Sequence, residues 1–176
     1  MKRNGNGPAR VAVSAGVGPT VVLADLERDD HQHAVRQMTA AYALDAMGNE
    51  GPLPEAVLEQ LIPGLRAHPT TLVFLAFDGG RAVGIATCFL GFSTFAARPL
   101  INIHDLAVLP ECRGWGIGRQ LLAAVETEGR RRGCVKLTLE VQTSNHRARR
   151  VYEAAGFAHA TYGEDTGGQL FYAKSL

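Results

Sequence analysis

The chain has 176 residues, enough for one domain with its own hydrophobic core. It is 46% hydrophobic and 20% charged with a formal net charge of +1, so it lacks the strong electrostatic footprint of a nucleic-acid-binding or membrane-surface protein. Cys88, Cys112 and Cys134 are odd in number and lack C-x-x-C spacing, which argues against a disulfide framework and a zinc site and suits a cytoplasmic setting.

Residues 1–19 are broken by glycines and prolines and read as a flexible tail; residues 20–176 read as a single domain. No apolar run approaches the ~20 residues of a membrane span. A first strand is expected over 20–26. A helix follows, with Val35, Met38, Ala41/Tyr42 and Asp45/Ala46 at helical spacing. His31 and His33 sit two apart on it, so they do not share a face, and no metal site is expected. A second helix begins at Pro54 and carries Pro63 near its end. The period then changes to that of strands. Two β-rich runs flank Asp78-Gly79-Gly80, a hairpin signal, and a further strand over 100–109 ends at Pro110.

A glycine-rich loop, "RGWGIG", precedes the next apolar helix, which runs to about Arg132 with Gly133 just past its end. The run Arg130-Arg131-Arg132 suits a solvated helix C-terminus. "VKLTLEV" reads as a strand, and "SNHRARRVYEAAG" as a short helix capped by Ser144 or Asn145. Two more strands close the chain. The fold class is α/β, a mixed sheet in the order β-α-α-β-β-β-α-β-α-β-β with helices on both faces.

Glycine destabilises a helix by roughly 1 kcal/mol against alanine. Gly114, Gly116 and Gly118 at a helix start therefore need a backbone reason. Such a loop leaves amides pointing at one place, where the helix dipole adds positive potential, and Arg113 and Arg119 flank it. That is a site for phosphate. A P-loop lysine is missing, and the third glycine of a dinucleotide fingerprint is replaced by Arg119 or Leu121, depending on the register. A nucleotide-binding oxidoreductase is thereby weakened.

"RGWGIG" resembles the [RQ]-x-x-G-x-[GA] loop of the GNAT superfamily of acyl-CoA-dependent N-acetyltransferases, and "NHRARRVYEAAGF" resembles its second signature. The resemblance implies that Arg113, Gly114, Trp115, Gly116, Ile117, Gly118 and Arg119 hold the pyrophosphate of acetyl-CoA, mostly through amides. It places the pantetheine arm along Leu106, Ala107 and Val108, with the amide near Leu106 polarising the thioester carbonyl. Asn145 and Arg149 join the cofactor-binding set, and Asn145 can also cap its helix.

Tyr152 shares a helical face with Asn145 and Ala148, and the resemblance makes it the acid that protonates the leaving thiolate. Two candidates emerge for the base. Glu140 precedes Tyr152 by twelve residues, as in the branch that acetylates protein N-termini. His104 stands where polyamine-acetylating relatives carry an acid. In a regular strand Asp105 points to the face opposite His104; a bulge changes that. Cys112 beside the loop has no activating neighbour in sequence. The expected activity is transfer of acetyl from acetyl-CoA to a primary amine, on a small molecule or a protein, in a ternary complex without a metal. A non-catalytic acyl-CoA-binding sensor on the same fold is the alternative. Neither nucleic acid nor membrane is expected as a partner, and a homodimer is implied by the family alone.

Overall fold

The computed structural model describes residues 18–49, 51–159 and 169–176. Its elements are β1 (Thr20–Leu23), α1 (Asp29–Ala43), α2 (Glu55–Ala67), β2 (Thr71–Asp78), β3 (Arg81–Ser93), β4 (Arg98–Val108), α3 (Ile117–Arg131), β5 (Lys136–Gln142), α4 (His146–Ala154), β6 (Ala158–His159) and β7 (Gln169–Ser175). The order is the expected one. Most of the proposed tail, and the stretch expected to extend β6, lie outside the described residues.

The strands form one seven-stranded sheet, β1-β2-β3-β4-β5-β7-β6. Strand β2 is apolar on both faces because both faces are covered. Leu72, Phe74 and Ala76 pack with Leu121 and Val125 of α3 and Tyr152 of α4. Val73 and Leu75 pack with Val35 and Met38 of α1 and Ile62 of α2. Two helices thus cover each face. The arginine run at the end of α3 is held by ion pairs, Arg130 to Glu126 and Arg131 and Arg132 to Glu128, as a solvated helix end should be.

Helix α1 ends at Ala43, short of the Asp45/Ala46 pair that the spacing included. The Asp45 carboxylate accepts the Met47 amide at 2.9 Å, and the Gly48 amide donates to the Asp45 carbonyl at 2.8 Å, so a turn replaces the last helical turn. Helix α2 continues past Pro63 to Ala67.

Two irregularities in β4 shape the centre of the sheet. Thr87 of β3 pairs with Asp105 and Cys88 with Ile103, so His104 is an extra, unpaired residue: a β-bulge. It shifts the alternation by one. Ile101 and Ile103 face α3 before the bulge, whereas Leu106 and Val108 do so after it, and Ala107 turns to the α1–α2 face. On the other side, β4 pairs with β5 in parallel only over Ile101–Ile103 against Leu137–Leu139. Beyond those three pairs the strands part, although β4 continues to Val108 and β5 to Gln142.

Helix α3 lies close on the sheet because β3 carries Gly84 beneath it. A Cβ there would stand 2.9 Å from Ile117 Cγ2 and 3.1 Å from Leu121 Cδ1. Both side chains are buried in the core, so neither can move aside freely. Gly84→Ala is therefore expected to destabilise the fold by about 1–3 kcal/mol through overpacking. Urea unfolding checks it; an unchanged midpoint would show that α3 rides freely on β3.

Candidate active site

The gap between β4 and β5 opens into a cavity of about 610 Å³. Its floor is the separating strands, one wall is the glycine loop with the start of α3, and another is the start of α4. The residues following α1 close the remaining side through Tyr42, Asp45 and Met47.

The glycine loop follows a short 3₁₀ turn, Pro110–Cys112. Gly114 has φ +86° and Gly116, the N-cap of α3, has φ +81°. Only glycine takes this conformation without strain. The amides from Gly114 to Arg119 have no hydrogen-bond partner among the described residues. Gly118 is different: its φ is ordinary, and an added Cβ would meet only Val151 Cγ1, at a comfortable 3.7 Å. No contact among the described residues demands glycine there. The position keeps the helix N-terminus bare toward the cavity it lines.

Most of the residues expected at the cofactor side line this cavity: Leu106, Ala107 and Val108 on the parted stretch of β4, Gly114, Gly116, Ile117, Gly118 and Arg119 on the loop and helix, and Asn145 at the start of α4. Asn145 caps α4 by accepting the Ala148 amide at 3.1 Å. Three residues depart from the expectation. Trp115 is exposed and does not line the cavity. Arg149 turns away, donating to the Tyr172 hydroxyl at 3.2 Å and the Thr143 carbonyl at 3.3 Å. Arg113 lines the cavity, but its guanidinium donates to the Asp45 carboxylate and, at 3.1 Å through Nε, to the Val108 carbonyl. Arg147, the next residue but one after the cap, also lines the cavity, though nothing in its sequence surroundings marks it out.

The expected catalytic groups come together as well. Tyr152 is buried against the rings of Phe157 and Tyr172 and lines the cavity. Burial, with the neighbouring Tyr42, pushes its phenol well above the ordinary value, so it stays protonated at neutral pH. Glu140 and His104 are both exposed into the cavity, each one residue past the last β4–β5 pair, at the point where the strands part.

The bulge adds a third group. His104 meets Phe89 edge-on at 5.6 Å, and the shifted alternation brings Asp105 to the cavity beside it. Burial pushes the Asp105 carboxyl above its ordinary range, with His104 opposing the shift. Asp105 in turn raises the Tyr42 phenol, after burial, and adds to the effect of burial on Cys88. The signal in sequence was "HD" in the middle of an apolar strand; only the bulge makes both residues face one space. No group of side chains suited to a metal ion occurs among the described residues.

A mixed sheet parted at its centre, with a glycine-bared helix N-terminus facing the gap, is an acyl-CoA transferase architecture. Residues 33–157 match the acetyltransferase (GNAT) family, and the chain belongs to that family. The uncharacterized N-acetyltransferase YhfO of Bacillus subtilis is 31% identical over 97 residues, 55% of this chain and 62% of that protein. This chain thus matches under two thirds of YhfO's length. The aminoglycoside N(6')-acetyltransferase type 1 of Salmonella typhimurium is 29% identical over 104 residues, 57% of this chain and 68% of that protein. Among solved structures, a chain of the NatC complex bound to Gag peptide and CoA superposes with a TM-score of 0.68 over 91% of this chain and 99% of that one. At 19% identity this likeness concerns the fold alone.

Two outcomes follow from the site. Gly118→Ala should stabilise the free protein by about 0.4–1 kcal/mol. The same variant should weaken CoA binding by about 1.4 kcal/mol, tenfold, or more. Calorimetric titration beside urea unfolding measures both, and unaltered CoA affinity would remove Gly118 from the phosphate site. For Asp105, the folded pKa stands above the ordinary 3.8. Its contribution to stability is thus fullest below that value and falls as pH rises through the folded pKa. Asp105→Asn should therefore be more stable than the parent at pH 8, by about 1 kcal/mol. That advantage should shrink toward pH 4. Melting curves across that range test it; a constant offset would mean that Asp105 ionises unhindered.

Proposed function

We propose that the protein transfers an acetyl group from acetyl-CoA to the primary amine of a small cationic acceptor by direct attack in a ternary complex. The observation that carries this reading is Gly118, a helix glycine that no described residue crowds and one of six amides, Gly114 to Arg119, without a partner among the described residues; it lines the same cavity as three titratable groups at the parting of β4 and β5.

The residues present fit acetyl-CoA. The cavity-lining amides of Gly114 and of Gly116 to Arg119 bind the pyrophosphate, and Arg119 and Arg147, both exposed at the cavity, add positive charge, Arg147 also acting on Asp45. The stretch Leu106–Val108 offers a backbone edge without a β5 partner to the pantetheine arm. When bound, acetyl-CoA supplies an activated acyl group as a thioester. Asn145 contacts the arm while capping α4.

Tyr152 gives its phenolic proton to the departing sulfur as the C–S bond breaks. Burial holds its phenol above the ordinary value, so the proton is given up only to a strongly basic, developing thiolate. Glu140 takes the amine proton as the N–C bond forms, and His104 is the second candidate for that task. Asp105, buried and without an ion-pair partner among the described residues, favours a cationic acceptor.

Two experiments test the reading. A panel of 1,4-diaminobutane, an aminoglycoside and a peptide with a free α-amino group, assayed with acetyl-CoA by thiol release, should show turnover strongest for a small cationic amine. Turnover with any of them excludes the sensor alternative. Tyr152→Phe should lower kcat by about 10²–10⁴-fold while CoA affinity stays within a few fold. Near-normal kcat in that folded variant, with chemistry rate-limiting, would reduce Tyr152 to a packing residue.

A further inference from the structure

The geometry points to Asp45 as a positioning residue that uses Arg113 to tie the cavity wall made by Tyr42 and Met47, placed on the acceptor side because Tyr42 neighbours Asp105, to the phosphate loop. This rests on the proposed division of the cavity between acetyl-CoA and an amine.

The turn after α1 is built around Asp45. One carboxylate oxygen accepts the Met47 amide at 2.9 Å, and the Asp45 carbonyl accepts the Gly48 amide at 2.8 Å. The Tyr42 hydroxyl donates to the Met47 carbonyl at 3.3 Å, which closes the turn on the last helical tyrosine. Gly48 allows no alternative residue without a rearrangement, since a Cβ would fall 2.1 Å from the Tyr42 carbonyl oxygen. Tyr42 and Met47 are therefore fixed relative to each other. What fixes the pair relative to the rest of the site is the other carboxylate oxygen, which accepts from Arg113 Nη2.

Arg113 lies 68 residues away and opens the glycine loop. Its Nε donates to the Val108 carbonyl, so one planar group spans the end of β4, the loop and the turn after α1. The pair is largely sheltered, with side-chain exposures of 28% and 14%, and so escapes the screening that empties surface ion pairs of value. The Met47 amide and the guanidinium hold the Asp45 carboxyl below its usual range against the effect of burial. The sequence suggests a phosphate ligand at Arg113; the structure commits its guanidinium to a strut. Phosphate is left to the bare amides and to Arg119, which has no ion pair among the described residues. Asp45 touches neither reacting atom, so its influence runs through the placement of Tyr42 and Met47.

The experiment compares Asp45→Asn, Arg113→Gln, Arg113→Lys and the double variant Asp45→Asn/Arg113→Gln in the full chain. Hydrogen exchange at the Met47 and Gly48 amides should speed up about tenfold in both single variants. Acceptor KM, measured with the fastest amine of the panel above, should rise about tenfold, with kcat and the CoA dissociation constant both changing less than about threefold. The double variant should be no worse than the worse single, and Arg113→Lys should recover part of the loss. Unchanged exchange at Met47 in Arg113→Gln would overturn the strut, as would additive effects or a tenfold loss of CoA affinity with acceptor KM unmoved. Should no amine turn over in the parent, the acetyl-transfer reading fails, while the exchange measurement still decides the strut.

Discussion

Everything in this site depends on a parallel strand pairing that stops after three residue pairs. A sheet normally satisfies its backbone by continuing its ladder. Here β4 and β5 part while each keeps its outer neighbour, β4 with β3 and β5 with β7. The core on the α3–α4 side makes this tolerable: Ile101, Ile103, Leu137 and Leu139 anchor the paired section, and Leu121, Val125 and Tyr152 pack on it. The resulting gap is bordered by backbone that can pair with something other than protein. It is also bordered by the N-termini of α3 and α4, whose dipoles bring positive potential to one end.

The strand fork carries acidic groups. Glu140 and Asp105 stand where the strands part, while Arg119 and Arg147 lie on the helices. The lining thus separates positive charge on the helices from negative charge at the strand fork. Asp45 and Arg113 neutralise each other and so leave this gradient undisturbed.

The element order was legible because each element carries its own local signature: the Asp78-Gly79-Gly80 turn, the Asn145 cap, the break at Pro110, the change of period after the second helix. The motif residues were legible for the same reason, since the loop from Gly114 to Gly118 and the helix from Asn145 to Tyr152 are each contiguous. What escaped depends on contacts across the chain. The termination of α1 at Ala43 follows from a turn whose carboxylate is held by Arg113, far along the sequence. Arg149 falls within a motif, yet its partners are Tyr172 and Thr143, outside that motif. The inward turn of Asp105 depends on a register shift set by β3, which the β4 sequence does not encode on its own.

That bulge makes the parity of the chain a functional quantity. Because a strand alternates faces with period two, one residue inserted or removed inverts everything beyond it. The unpaired residue His104 divides β4 into two halves of opposite phase. Its first half sets Ile101 and Ile103 into the core beneath α3, and its second half sets Leu106 and Val108 there while leaving Asp105 facing the cavity. A change of side chain at His104 alters one group, whereas a change of length at that point would exchange core for cavity along the rest of the strand. The region is consequently intolerant of insertion or deletion. Substitution at position 104 therefore changes the chemistry at the strand fork while the strand's length, and with it the facing of every later residue, is kept.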